Sequence, residues 1–148
     1  MRDGVALRGR IEVMECDART GRVLSHYRGK NRVVDTALTL MADRLRGNTG
    51  IGGVSDYALG TDSTPPVAGD TALKAEVFRA TITQTSVSAG QLTITLFLGS
   101  TQGNGLTFQE GGAFTPQNTM LCRGIFPAKA KTNLKTLTVI HTIQLTAS

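Results

Sequence analysis

The sequence predicts a mainly β fold: an antiparallel β-sandwich or barrel-like domain of about seven or eight strands with one short α-helix near residues 35–46. Three observations predict it. Apolar and polar residues alternate with a period of two through most of the chain, most clearly in Gln91–Leu98 and Leu134–Leu145. The alternating runs stop at short intervals in turns rich in Gly, Ser and Asn. A single stretch departs from this period and repeats every three to four residues instead. With 148 residues the chain is expected to form one domain, and a chain of that size buries enough surface for a core without metals or disulfides.

The elements follow in order. From Val5 to Cys16, charged residues interleave with Ile11 and Val13 on one face and Met14 and Cys16 on the other. Asp17-Ala18-Arg19-Thr20-Gly21 supplies a turn, and Arg22–Tyr27 extends again, which makes a hairpin. Leu38, Met41, Ala42 and Leu45 then fall at helical spacing. Asp35 is the expected N-cap, Gly47 the stop, and Arg44 and Arg46 complement the C-terminal end of the dipole. Gly47–Gly53 is a connector and Val54–Leu59 a short strand. Gly60–Asp70, with Pro65 and Pro66, must be a surface loop, because proline donates no ladder hydrogen bond. Val77–Gln84 and Gln91–Leu98, turning at Ser88-Ala89-Gly90, read as a second hairpin. Strands at Leu106–Phe114, Met120–Phe126 and Leu134–Leu145 complete the set, the last rich in the β-branched residues that suit a pleated surface. The organisation expected is a hairpin that docks elsewhere (residues 1–33), a helix (34–47) and a sandwich (54–148) able to fold without residues 1–30.

Composition narrows the function. Charged residues make up 18% of the chain, below the usual quarter, which suits a surface that meets other subunits. The formal net charge is +5, and between Arg2 and Arg46 ten basic residues face six acidic ones. They are dispersed, however, and five Phe, two Tyr and no Trp give no stacking platform, so nucleic acid is disfavoured as a partner. The basic residues Arg8, Arg10, Arg19, Arg22 and Arg28 instead mark a docking segment for an acidic protein surface. The opening Met1-Arg2-Asp3-Gly4 lacks the apolar stretch of a signal peptide, and no run reaches the length of a membrane span. Synthesis and assembly in a cytoplasm are therefore expected.

Catalytic and metal chemistry find little support. Gly50-Ile51-Gly52-Gly53 lacks the Gly-Lys-Ser/Thr of a phosphate loop, and no Gly-x-Ser-x-Gly elbow occurs. His26 and His141 stand without ligands at metal spacing, so no cofactor is expected, and His141 on the apolar face of the last strand reads as a hydrogen-bonded core or interface residue. Cys16 and Cys122 read as small apolar fillers. Cys122 would need a histidine beside it to act as a nucleophile, and nothing in the sequence places His141 there. Glu76, Arg79, Glu110 and Arg123 are unusual in lying among apolar or Gly neighbours. A buried arginine needs a carboxylate, so they form either an ordinary intrachain or exposed ion pair or a polar lock at a subunit interface.

The second half carries a resemblance. Ala58-Leu59-Gly60-Thr61-Asp62-Ser63-Thr64-Pro65-Pro66, followed by Gly69-Asp70-Thr71-Ala72-Leu73 and Glu76-Val77-Phe78-Arg79, resembles a group of small bacteriophage virion proteins of the tail, baseplate or fibre-attachment type. Asn104-Gly105, Glu110-Gly111-Gly112-Ala113-Phe114, Met120–Pro127 and Lys131-Thr132 are similar to that group's later segments. The sequence departs from it in Gly111-Gly112-Ala113 and in Ala128-Lys129-Ala130. The resemblance implies a non-enzymatic structural role in the virion, contacts with other virion proteins and a homo-oligomer, a trimer first. Two alternatives stay open: a decoration protein on the capsid, and a carbohydrate-binding module for the host surface, for which only Tyr27 and Tyr57 offer rings that suit sugar.

Overall fold

The computed structural model of the chain describes residues 4–147. Met1–Asp3, the start of the predicted docking segment, lie outside the described residues. Nine strands and one helix follow one another: β1 (Val5–Asp17), β2 (Val23–Val33), α1 (Asp35–Leu45), β3 (Asp56–Gly60), β4 (Glu76–Thr81), β5 (Gln84–Ser88), β6 (Gln91–Leu98), β7 (Thr107–Phe114), β8 (Met120–Ala130) and β9 (Lys135–Ala147). They form one curled antiparallel sheet in the order β4-β3-β7-β8-β2-β1-β9-β6-β5. The mainly β class with a single helix is as the sequence predicts, with slightly more strands.

The sheet folds over at β2. That strand pairs with β1 from Ser25 to Asn31 and beyond, yet meets β8 only through Arg32 and Val33. The halves on either side of this hinge close on each other. Ile11 and Val13 of β1, Ile94, Leu96 and Leu98 of β6, and Leu137, Val139 and Ile143 of β9 pack against Tyr57, Leu59, Phe108, Ala113, Cys122 and Phe126 from the other half. These side chains are all but inaccessible, and burying each contributes roughly 1.5–3 kcal/mol. The two end strands of the order, β4 and β5, are joined by Ile82 and Thr83 alone, a link that spans only about 10 Å. The chain therefore passes directly from one end of the strand order to the other, which ties the two ends of the curled sheet together.

A third layer covers the β3-β7-β8 half from outside. Val34 at the head of α1 and Leu73 of the long loop pack with Ala58, Phe114 and Met120 in a small second core. Thr36 Oγ1 donates to the Met120 carbonyl at 2.6 Å, and the Asp35 N–H donates to the Ala68 carbonyl at 2.9 Å, tying helix, loop and sheet together.

Three local expectations shift. The Val77–Gln84 strand does not pair with Gln91–Leu98; it breaks at Ile82-Thr83, β4 pairs with β3, and β5 pairs with β6. Alternation alone cannot show such a break, because both pieces keep the same period. The helix buries Ala37 and packs Leu40 and Met41, whereas Leu38 and Leu45 are exposed at 49% and 89%. Asp35 is the first helical residue and not the cap; Val34 holds the N-cap position, where its side chain has no oxygen to accept a cap bond and packs into the second core instead. Finally, β1 and β2, set apart in the sequence as a docking hairpin, occupy the middle of the strand order and fill the core.

Candidate functional site

Arg123 of β8 is the largest fully buried side chain. It lies on the outer face of the sheet, opposite Gly112 in the ladder, under the loop that runs from Gly60 to Ala75. Its Nε donates to Glu110 Oε2 at 2.8 Å. Nη2 approaches the same oxygen at 2.8 Å without hydrogen-bond alignment, and Nη1 lies 3.3 Å from Asp70 Oδ2. Glu110 in turn accepts the backbone N–H groups of Lys74 and Ala75 at 3.1 and 2.7 Å. Asp70 accepts the Val67 N–H and pairs with Lys74 at 3.1 Å. Burial pushes the Asp70 carboxyl up, but the Val67 N–H and Lys74 outweigh it and leave its pKa lowered. The cluster clamps the proline loop to the sheet. Glycine is required for the fit, since a Cβ at Gly60 would sit 2.5 Å from the Ala75 carbonyl and collide with Glu110.

The four charged residues singled out by sequence therefore form two separate pairs. Glu110 and Arg123 are buried together. Arg79 instead pairs with Glu76 at 2.7 Å on the outer side of β4, donates to Asn118 Oδ1 at 2.8 Å, and lies 4.2 Å above the Phe114 ring. The hydrogen bonds that Arg79 donates to Glu76 raise its pKa. Asp62, Asp70 and Lys74 completed the first cluster without being foreseen.

A second polar group lies in the main core. The His141 ring contacts the Tyr57 hydroxyl, the Asn31 amide and, at 3.1 Å, the Cys122 thiol. This is a hydrogen-bonded core histidine, as its place on the apolar face implied, and it does stand beside Cys122. The pair has the wrong protonation states for nucleophilic chemistry. Burial pushes the Cys122 pKa up to about 12 and the His141 pKa down to about 3, so thiol and imidazole are both neutral. Cys16 lies five residues along β1 from Ile11, the residue opposite His141, and both cysteines are free. Of the two tyrosines on which a sugar could stack, Tyr57 is fully buried and Tyr27 packs against the core.

The predicted docking arginines are divided as well. Even-numbered residues of β1 and β2 face outward, which brings Arg8, Arg10 and Arg28 onto one surface. Lys30 and Arg32 join them through the same alternation. Arg19 and Arg22 sit in the β1–β2 turn, roughly 20–30 Å along the ladder from Arg8 and Arg10 at about 3.4 Å per residue. Arg28 donates to Glu12 at 2.9 Å, and His26 meets the same carboxylate. Arg28's hydrogen bond leads the effects that hold the Glu12 pKa low. Beyond this basic strip, the outer faces of β9, β6 and β5 carry Thr138, Ile140, Thr142, Gln144, Thr93, Thr95, Phe97 and Ser86, with no charged residue.

Comparison with known proteins gives one match. The family model described as phage tail-collar fibre protein, N-terminal, matches residues 53–145, from just before β3 to within two residues of the end of β9. No curated protein and no solved structure matches. The matched segment contains the whole Arg123–Glu110–Asp70 clamp. Among the described residues, no helix is long and apolar enough to cross a membrane.

Proposed function

The chain belongs to the phage tail-collar fibre protein family, and on that footing we propose that it works at a baseplate, neck or fibre-attachment position as one subunit of a homo-oligomer, a trimer first. Membership in this family makes it a tail-associated structural component of a bacteriophage virion. The proposal adds how it acts: by protein–protein contacts and without chemistry.

One observation carries the contact reading. The outer faces of β9, β6 and β5 form a broad surface of hydroxyl and amide side chains, with Phe97 45% exposed and no charge. Depletion of charged residues is the compositional mark of the centre of a protein interface. A face of this kind needs no ion desolvated when a second subunit covers it. Of the expected polar lock, only Glu76 and Arg79 stand where a neighbour can reach them, and we assign Glu110 and Arg123 to holding the loop.

The test is the copy number of the chain in purified particles, measured by quantitative mass spectrometry against the major capsid protein, with the native mass of the isolated chain beside it. A small fraction of the capsid copy number, and a trimeric mass, is the expected result. A ratio near unity would make this a capsid decoration protein and defeat the tail assignment. A monomeric mass at all concentrations would defeat the oligomer.

A further inference from the structure

We propose that the basic outer face of β1 and β2 is a docking groove for an extended acidic segment of a partner protein. The inference rests on the reading of the chain as a protein-contact subunit, and names the partner chemistry for the basic surface that borders the uncharged one and shares Thr142 and Gln144 with it.

The groove, about 430 Å³, runs between the β1–β2 ladder and the outer faces of β9 and β6. Arg8, Arg10 and Arg28 line one side, and Thr142, Gln144 and Gln91 the other. With Lys30 and Arg32, the described residues of this face hold five cationic side chains, all exposed, against the single carboxylate of Glu12. That excess is most of the chain's +5. Glu12 is already shared by Arg28 and His26. Among the described residues, Arg8, Arg10, Lys30 and Arg32 make no ion pair.

The register sharpens the argument. Arg10 stands directly opposite Lys30 in the β1–β2 ladder. Like charges opposed across a strand pair destabilise it, and an anion laid between them removes that repulsion. Arg8 and Arg10 are two residues apart on one strand, so their side chains rise from the same face about 6.8 Å apart. An extended peptide with carboxylates at alternate positions has the same repeat and meets them in register. Gln91, Gln144 and Thr142 can bond the peptide's backbone, which a purely electrostatic surface would not provide for. No aromatic ring lines the groove, so neither a sugar nor a nucleobase finds a stacking partner there.

The probe is a fluorescent synthetic peptide alternating Glu and Thr, titrated with the intact chain and followed by anisotropy. Saturable binding that weakens about tenfold or more between low and physiological salt is expected. The Arg8→Gln/Arg10→Gln/Lys30→Gln variant should bind at least about tenfold more weakly, with an unchanged circular dichroism spectrum. The control Arg19→Gln/Arg22→Gln, which removes charge from the turn instead of the groove, should bind within about twofold of the parent. Equal binding by the triple variant, equal weakening by the control, or tighter binding of a single-stranded oligonucleotide of matched charge would each overturn the proposal. So would the absence of peptide binding, which does not depend on any variant folding. A chain found at tail copy number whose groove fails these tests loses only the groove; a chain missing from particles loses the subunit reading, whatever the peptide does.

Discussion

Arg123 shows how much one side chain can organise. It is fully buried with Glu110 and Asp70, so replacing it by Leu would leave two carboxylates in the interior facing one remaining cation, Lys74. A loss of about 3–5 kcal/mol is expected, measured as a lower midpoint in urea unfolding, whereas Arg79→Leu on the exposed side of β4 should cost about 1 kcal/mol or less. The sequence marked Glu110 and Arg123 because charge stood among glycines and apolar residues. It could not mark Asp70, which is 53 positions from Arg123 and reaches it only because the proline loop folds back over the sheet. His141 leads to a pH prediction. Its folded pKa is lowered to about 3 by burial, against an ordinary value near 6.5 in the unfolded chain. Between those values the unfolded chain binds a proton that the folded chain does not, so stability falls as pH falls through that window, by roughly 1.4 kcal/mol per unit. From pH 6.5 to 5, above the range where most carboxylates titrate, the parent should lose roughly 2 kcal/mol more than a His141→Gln variant. Parallel pH dependences of the two unfolding free energies would show that the imidazole is not the titrating group.

At the scale of elements, local pattern was legible and pairing was not. The β5–β6 turn illustrates the first. Ala89 and Gly90 were read as a turn from their residue types, and both adopt positive φ, 50° and 75°. Two consecutive positive φ values are what a two-residue hairpin needs to match the twist of its strands, but alanine carries a steric cost there that asparagine or glycine does not. Ala89→Asn should therefore stabilise the protein by about 0.5–1 kcal/mol, seen as a melting temperature about 1–4 °C higher; a lower melting temperature would mean that the turn is held by contacts its φ values do not reveal. The helix illustrates the second. Its period was visible, but its buried side was not, because Ala37 is chosen by the close approach of the helix to the main core and apolar spacing alone favours the larger Leu38 and Leu45. The Val77–Gln84 run was likewise seen as extended, while its break at Ile82-Thr83, beyond which the chain continues at the opposite end of the strand order, leaves no mark on the alternation.

The molecule as a whole turns on its first two strands, which the sequence set apart as a docking hairpin. Hairpin partners close in sequence are legible from a turn and two alternating runs; what is not legible is that β1 pairs along its whole length, from Val5 to Asp17, with a strand more than a hundred residues later. Because β1 and β2 lie between β8 and β9, removing them divides the order into β4-β3-β7-β8 and β9-β6-β5, two fragments with no ladder between them. It also takes Ile11 and Val13, 1% and 0% exposed, out of the core. Losing those two side chains alone would cost several kcal/mol, at about 2–5 kcal/mol for a buried Ile, against a total stability of only about 5–15 kcal/mol, and the newly opened edges of β8 and β9 add a route to aggregation. The fragment 34–148 should thus show no cooperative thermal unfolding by circular dichroism, while the intact chain with Arg8→Gln and Arg10→Gln melts cooperatively at or slightly above the parent temperature, since those changes touch only the outward face. A cooperative melt of the fragment would mean that the two half-sheets hold together through the β3–β9 core contacts without β1 between them, and that the outward arginines and the core-filling residues of the same strands can be separated after all.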